Sequence, residues 1–131
     1  ARGSYLDKDM GPEAKLYQKL KRNTPSIQWI RIENLSVLGT PDLLGYNDSG
    51  RFFTVELKVA KGDKVRFSPH QIAFHIQHPK NTFILIEALG QRCFKLFPGS
   101  TIRELRSEGH RYGWPLATSW EDIKKIFKEK I

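Results

Sequence analysis

Cysteine is almost absent from this sequence, in which Cys93 is the only thiol among 131 residues. A lone cysteine excludes a disulfide within the chain and a zinc site built on several thiolates, and it is compatible with a reducing compartment. Its strand-like surroundings favour a buried structural thiol. Histidine does not replace the missing thiolates: at about 100° per residue His70, His75 and His78 spread around a helix, and only the last two are near neighbours. We therefore predict no zinc site.

Long apolar runs are also missing. None approaches the roughly 20 residues of a membrane-spanning helix, and the first residues lack the apolar core of a signal peptide. We expect a soluble protein without a membrane partner. A chain of 131 residues is long enough for one hydrophobic core and too short for two. The length predicts one domain over residues 1–131, with residues 1–11 and the C-terminal helix peripheral.

Acidic residues are the scarcer charge. The sequence has 14 Asp and Glu against 22 Lys and Arg, which gives a formal charge of +8 and a pI near 9.7. Such an excess favours a polyanionic partner, although basic proteins without one exist. Nucleic acid is the leading candidate.

Residues 39–61 place charged side chains where the hydrophobic pattern predicts interior strands. The sequence Asn-Asp-Ser-Gly at 47–50 is a turn signal between strand-like runs at 43–46 and 51–60. This arrangement predicts an antiparallel hairpin.

Three charged side chains meet on this hairpin. Side chains alternate between the faces of a strand, so Glu56 and Lys58 share one face, and the turn brings Asp42 toward Glu56. Two close carboxylates repel each other, and a divalent cation with oxygen ligands is the common solution. Mg²⁺ fits best, because it takes one or two carboxylates and leaves room for phosphate oxygens. The opposite face is expected to be core and consists of Phe53, Val55, Leu57 and Val59.

Each motif alone has an ordinary structural explanation. Pro41-Asp42 is a common way to open a turn. Glu-x-Lys on a strand is usually a solvent-exposed face with a weak ion pair. The combination is much less frequent by chance than either part.

Pro41-Asp42, the hairpin and Glu56-Leu57-Lys58 together resemble the PD-(D/E)XK nuclease superfamily. The opening Gly-Thr-Pro-Asp-Leu-Leu and the Ser-Pro-His-Gln at 68–71 look like archaeal-type Holliday-junction resolvases and virus-type replication-repair nucleases. The resemblance covers residues 12–87.

The resemblance implies a site and a reaction. Asp42, Glu56 and the backbone carbonyl of Leu57 would bind Mg²⁺, with Mn²⁺ as a substitute, and Lys58 would serve the attacking water. It further implies a cytoplasmic protein of prokaryotic or viral origin that acts in DNA recombination or repair.

A helix predicted at 12–22 adds a third acid. Glu13 lies on the same helix face as Leu16 and Tyr17, where an acid is unexpected unless it meets a cation or a metal-bound water. A favourable interaction of a first-turn acid with the helix dipole is the alternative. The resemblance assigns Glu13 to the metal site.

A second helix, predicted from the capping box at 68–71 to about His78, contributes Gln71. Capping alone would explain this glutamine. The resemblance adds a glutamine near the metal and the scissile phosphate, and the two explanations are compatible.

Basic side chains flank the expected site. Lys61, Lys64 and Arg66 lie in a predicted mobile loop that would cover DNA, and Lys15 and Lys19 lie on the outward face of the first helix. A solvated face explains the two helix lysines equally well. The apolar side chains proposed for a symmetric dimer interface, which would supply two active sites, are Tyr112, Trp114 and Trp120.

The remaining patterns complete the fold. Residues 27–32 predict the first strand, residues 82–88 a strand covered on both faces, and residues 92–97 a strand nearer an edge. A short helix is expected from residue 101 to about residue 109. The apolar stripe of the C-terminal helix consists of Trp120, Ile123, Phe127 and Ile131.

We therefore predict an α/β domain with a mixed sheet flanked by helices, in the αβββαβ order of restriction-endonuclease-like folds. The function expected is that of a Mg²⁺-dependent endodeoxyribonuclease selective for branched DNA such as Holliday junctions, acting as a homodimer. Alternatives are a site-specific (homing or restriction-like) endonuclease, an exonuclease, a flap nuclease, and a nucleic-acid-binding module without turnover.

Overall fold

The computed structural model describes residues 11–32 and 38–131, so the expectation for residues 1–10 lies outside the described residues. The strands form one five-stranded sheet in the order β1-β2-β3-β4-β5. The elements are α1 (Pro12–Asn23), β1 (Gln28–Arg31), β2 (Leu43–Tyr46), β3 (Phe52–Ala60), α2 (Pro69–Gln77), β4 (Thr82–Ala88), β5 (Cys93–Pro98), α3 (Ile102–Glu108) and α4 (Trp120–Glu129), with 3-10 turns at Gly99–Thr101 and Gly109–Arg111. The prediction of an α/β fold with a mixed sheet flanked by helices is confirmed. None of the helices in the described ranges has the length and hydropathy needed to cross a bilayer.

The predicted hairpin is present. β2 and β3 pair antiparallel, with Leu43 opposite Val55. The side chain of Asn47 accepts hydrogen bonds from the amides of Ser49 and Arg51, at 3.1 Å and 3.0 Å, which closes the turn. β3 then runs parallel to β4, with α2 in the connection, and β4 pairs antiparallel with β5.

One side of the sheet, which we call the α1 side, is covered by α1 and α4. Its core is aromatic: Phe127 of α4 stacks on Phe53 of β3 with ring centroids 4.5 Å apart, and Phe83 packs edge-on at 5.5 Å from Phe127. The sequence predicts a peripheral C-terminal helix. In the structure this helix packs its predicted apolar stripe onto the sheet, and Ile123 and Phe127 are completely buried in the core of this side.

The opposite side, which we call the α2 side, is covered by α2 and α3. Ile84 and Ile86 of β4 pack there against Ile102 and Leu105 of α3, with Ile72 of α2 at the margin. The prediction that β4 is covered on both faces is confirmed. The face of β3 that carries Glu56 therefore points into a covered layer, and the alternative of a solvated Glu-x-Lys face does not apply to Glu56.

The loop that connects β3 to α2 is held at its first half. The sequence predicts a mobile loop, whereas the backbone of Asp63 accepts a 3.0 Å hydrogen bond from the amide of His110. The side chain of Asp63 pairs with Arg111 at 3.0 Å, and the ring of His110 bonds to the carbonyl of Gly62 at 3.1 Å. Val65 of the same loop is buried.

The aromatic residues proposed for a dimer interface lie in different environments. Trp120 stacks on Phe94 at 4.4 Å, and Tyr112 packs against Phe97 at 6.2 Å, so both contribute to packing within the chain. Only Trp114 is strongly exposed, at 76%. Dimerisation stays a prediction.

Candidate active site

Asp42 and Glu56 are brought together by the hairpin, as predicted. Asp42 stands just before β2, where its carbonyl accepts a 2.8 Å hydrogen bond from the amide of Ile32. Its carboxylate accepts a 2.8 Å hydrogen bond from the amide of Leu57. Because Glu56 precedes Leu57 in β3, this bond fixes the first acid beside the second.

Glu56 is the most perturbed group of the site. It is 2% exposed, and burial raises the pKa of its carboxyl to about 9, with further increases from the charge of Asp42 and from a side-chain hydrogen bond to Asp42. The ammonium of Lys58 opposes this increase, and Glu13 adds to it. One carboxyl oxygen, Oε1, is buried without a hydrogen-bond partner among the described residues. Two carboxylates that disfavour each other's ionisation need a cation between them to be charged together.

Lys58 is oriented by Gln71 and an aromatic ring. Its Nζ donates a 3.1 Å hydrogen bond to Oε1 of Gln71 and lies 5.1 Å from the centre of the Phe67 ring. In the described part of the chain Lys58 forms no ion pair with Glu56. The weak Glu-x-Lys ion pair that the sequence left open is therefore not formed. The ammonium is thereby held at the edge of the buried acid.

Gln71 caps α2 as predicted and also contacts the buried acid. Its place beside a metal and a phosphate stays a prediction. The hydroxyl of Ser68 accepts from its amide at 3.1 Å, and its Oε1 accepts from the amide of Ser68 at 3.0 Å, so the capping box is complete. Its Nε2 also donates a 3.3 Å hydrogen bond to Glu56. The start of α2 is therefore built into the site.

Gly39 allows the segment that carries Asp42 to touch the start of α2. Its φ is +83°, and a Cβ there would lie 2.2 Å from the carbonyl oxygen of His70 and 2.9 Å from the amide of Gln71. Only glycine combines this conformation with this approach. The sequence contains the glycine, but its contact with a residue so distant in the chain has no local signal.

Glu13 stands at the mouth of the site. It is exposed and lines a cavity together with Lys58. Partial burial and the charge of Asp42 raise the pKa of its carboxyl, and Lys58 opposes them. No group of three or more His, Cys, Asp or Glu side chains in residues 11–32 and 38–131 is arranged to hold a metal ion. Direct ligation by Glu13 stays a prediction.

The predicted DNA-binding residues separate into two groups. Lys61, Lys64 and Arg66 are exposed and line the same cavity of about 520 Å³ as Lys58. Lys19 instead forms a 2.6 Å ion pair with Glu87 of β4, and Lys15 is exposed on α1.

Two supporting residues were missed from the sequence. Phe67 provides the ring beside Lys58. His75 is completely buried, bonds through Nδ1 to the carbonyl of Gln71 at 2.9 Å, and has its pKa lowered by burial. In the sequence, the spacing of four residues between Gln71 and His75 on the predicted helix indicates that the two are neighbours. The bond links His75 to the backbone of Gln71, within the helix turn that enters the site.

No protein-family model and no characterised protein matches this chain. The functional argument therefore rests on the geometry of the site.

Proposed function

We propose that this chain is a Mg²⁺-dependent deoxyribonuclease of the PD-(D/E)XK type, with a restriction-endonuclease-like core. The observation that carries the proposal is the buried carboxyl of Glu56, which faces Asp42 with one unpartnered oxygen beside the ammonium of Lys58. A buried acid that faces a second, half-buried acid beside an oriented cation destabilises a fold, and such perturbed groups are typical of functional sites.

The donors fit Mg²⁺. Asp42 and Glu56 offer carboxylate oxygens, and the carbonyl of Leu57 is a third hard oxygen. Glu56 Oε1 receives no hydrogen bond from a donor group of the described residues. Mg²⁺ in proteins is commonly held by one or two carboxylates and keeps several waters. The absence of a three-acid group among the described residues is therefore compatible with this ion. When bound, the ion supplies charge neutralisation at the phosphate and lowers the pKa of a water.

The side chains of the chain then divide the remaining work. Lys58 donates a hydrogen bond to the attacking water or to the phosphate oxygen on which charge develops. Gln71 and Phe67 limit the rotation of Lys58, so that little orientation is lost during the reaction. The water forms the new bond to phosphorus as the bond to the 3′ oxygen breaks, which leaves a 5′-phosphate and a 3′-hydroxyl.

The substrate proposed is double-stranded or branched DNA, cut in recombination or repair by a homodimer. Cationic side chains along the cavity support a polyanion. Selectivity for branched DNA follows from the family resemblance and is tested by comparing linear, nicked, flapped and four-way substrates.

Lys58→Met is the sharpest test, because it keeps the bulk of the side chain and both acids while it removes the ammonium. We expect single-turnover cleavage in Mg²⁺ to fall by about 10² to 10⁴-fold, the usual contribution of a group that orients or activates water. DNA affinity in Ca²⁺, whose looser coordination positions water poorly, should change little.

The matched control is Lys64→Met, which removes a cation from the same cavity and leaves Lys58 and the two acids unchanged. It should weaken DNA binding more than it slows the bound complex. Equal cleavage by wild type, Asp42→Asn, Glu56→Gln and Lys58→Met would refute the proposed site. A complete lack of cleavage of DNA and RNA with Mg²⁺ or Mn²⁺ would favour a binding module.

A further inference from the structure

Three neighbouring cavities lead from Lys58 toward α3. The first, about 520 Å³, is bounded by the loop after β3. The second, about 710 Å³, lies between that loop and the end of α3, and the third, about 510 Å³, lies beside α2 and α3. Lys64 and Arg66 line the first two, and Arg106 lines the second and third. Because neighbouring cavities share these lining residues, we treat the three together and call them the α3 groove.

Besides Lys58 and Lys61, the walls of the α3 groove carry four further cations. The side chains of Lys64, Arg66, Arg103 and Arg106 are exposed, and in the described part of the chain none of them forms an ion pair or a hydrogen bond. Three acids line the same groove: Glu13, Glu108 and Asp63, of which Asp63 is paired with Arg111. The six cations outnumber them. Like charges along one groove repel each other, and an anionic ligand removes that repulsion.

The two walls are joined before any ligand binds. The amide of His110, just after α3, donates a 3.0 Å hydrogen bond to the carbonyl of Asp63 in the loop. Gly109 makes this approach possible, because its φ is +73° and a Cβ there would lie 2.0 Å from that carbonyl oxygen. Val65 of the loop and Leu105 of α3 are buried in one cluster. A groove of fixed width loses less entropy when it binds a ligand.

We propose that the α3 groove binds the sugar-phosphate backbone of the DNA beyond the cleaved bond, with Arg103 and Arg106 as phosphate contacts. This rests on the proposed nuclease function, whose bound strand must leave the site along one of its open sides. Arg103 and Arg106 are three positions apart, so they project from the same face of α3. Their planar guanidinium groups match phosphate oxygens in a two-point contact.

The test compares two double variants that each remove two positive charges. Arg103→Gln with Arg106→Gln changes the α3 groove, whereas Lys124→Gln with Lys125→Gln changes exposed lysines of α4, which covers the α1 side. Affinity for a labelled DNA duplex is measured in Ca²⁺ over a series of salt concentrations. Log affinity falls with log salt, and this dependence should become shallower by about 1.8 in the arginine variant, at about 0.9 per lost contact. It should stay unchanged in the lysine variant.

The single variant Arg106→Gln should lose about half of that slope, which guards against misfolding of the double variant. Equal slopes in the arginine and lysine variants would overturn the proposal even if the wild type cleaves DNA. A slope loss confined to the arginine variants, in a protein that cleaves nothing, would keep the groove and reject the nuclease. A weaker salt dependence of the arginine variants with RNA but not with DNA would also reject the proposal.

Discussion

The two sides of the sheet differ in how their buried polar side chains are bonded. On the α1 side, Thr24 donates a 2.6 Å hydrogen bond to the carbonyl of Leu20 and accepts a 2.9 Å bond from the indole of Trp29. Asn47 donates from its amide to the carbonyl of Phe127 at 2.9 Å. Buried polar groups there are satisfied and sit around an aromatic core.

On the α2 side the pattern is reversed. All buried side-chain atoms that lack a partner among the described residues belong to it, and an unsatisfied buried group costs about 1–3 kcal/mol. A fold retains such a cost where chemistry requires it. Both sides have a buried apolar cluster, but the unpartnered polar atoms, among them Oε1 of Glu56 in the candidate site, lie on the α2 side. The buried side-chain atoms without a partner among the described residues are Thr54 Oγ1, Glu56 Oε1, His75 Nε2 and His110 Nδ1.

The largest effect is expected on the α1 side. Phe127→Ala removes a completely buried ring that contacts Phe53, Phe83 and Trp29, so the free energy of unfolding should fall by about 3–5 kcal/mol. Denaturant unfolding followed by circular dichroism measures it. Phe52→Ala, at a ring that is 54% exposed, is the matched control and should cost much less. Similar losses in the two variants would show that burial of Phe127 in the aromatic core does not determine the cost of its removal.

A smaller, pH-dependent effect is expected at Glu56. Because its folded pKa of about 9 lies above the ordinary value of 4.5, the folded state binds the additional proton and stability falls as pH rises through that window. The free energy of unfolding can fall by at most about 1.4 kcal/mol per pH unit, hence by at most about 2.7 kcal/mol between pH 6 and 8.

Glu56→Gln removes this titration while keeping the shape of the side chain. Without divalent ions, the variant should therefore gain stability over wild type as pH rises from 6 to 8. Unfolding curves at several pH values measure the difference. A stability difference that is independent of pH would show that Glu56 ionises normally in the folded protein.

The smallest effect is expected from Mg²⁺ binding at the candidate site on the α2 side. Mg²⁺ at ten times its dissociation constant should stabilise the wild type by about 1.4 kcal/mol at pH 8, because only the folded site binds it. The gain should shrink at pH 6, where a proton on Glu56 competes. Calorimetric melting with and without Mg²⁺ checks this, and an equal gain in Asp42→Asn would place the ion elsewhere.

Local patterns predicted most of the framework. The turn at 47–50, β2 and β4 have the predicted positions, since turn chemistry and apolar runs are properties of neighbouring residues. β5 occupies Cys93–Pro98 rather than residues 92–97. The meeting of Asp42 with Glu56 was predictable because a tight hairpin fixes which strand positions are opposite.

What could not be predicted depends on contacts between distant segments. Alternation along β3 indicates two faces, but it does not show that α3 will cover the face of Glu56. The ring of His110 meets Gly62 across 48 positions of sequence, so no local pattern indicates that the loop is held. Arg103 and Arg106 are ordinary surface arginines until α3 is placed beside the loop.

Gln71 restricts which amino acid its position accepts. Its Oε1 accepts from Ser68 and from Lys58, while its Nε2 donates to Glu56. Glutamate would offer the acceptor but place another negative charge against Glu56, and asparagine is one methylene too short to span the same partners. Lysine or methionine would lose the acceptor altogether. A primary amide at this reach begins the helix and holds both neighbours, so a substitution here is expected to break at least one of these contacts.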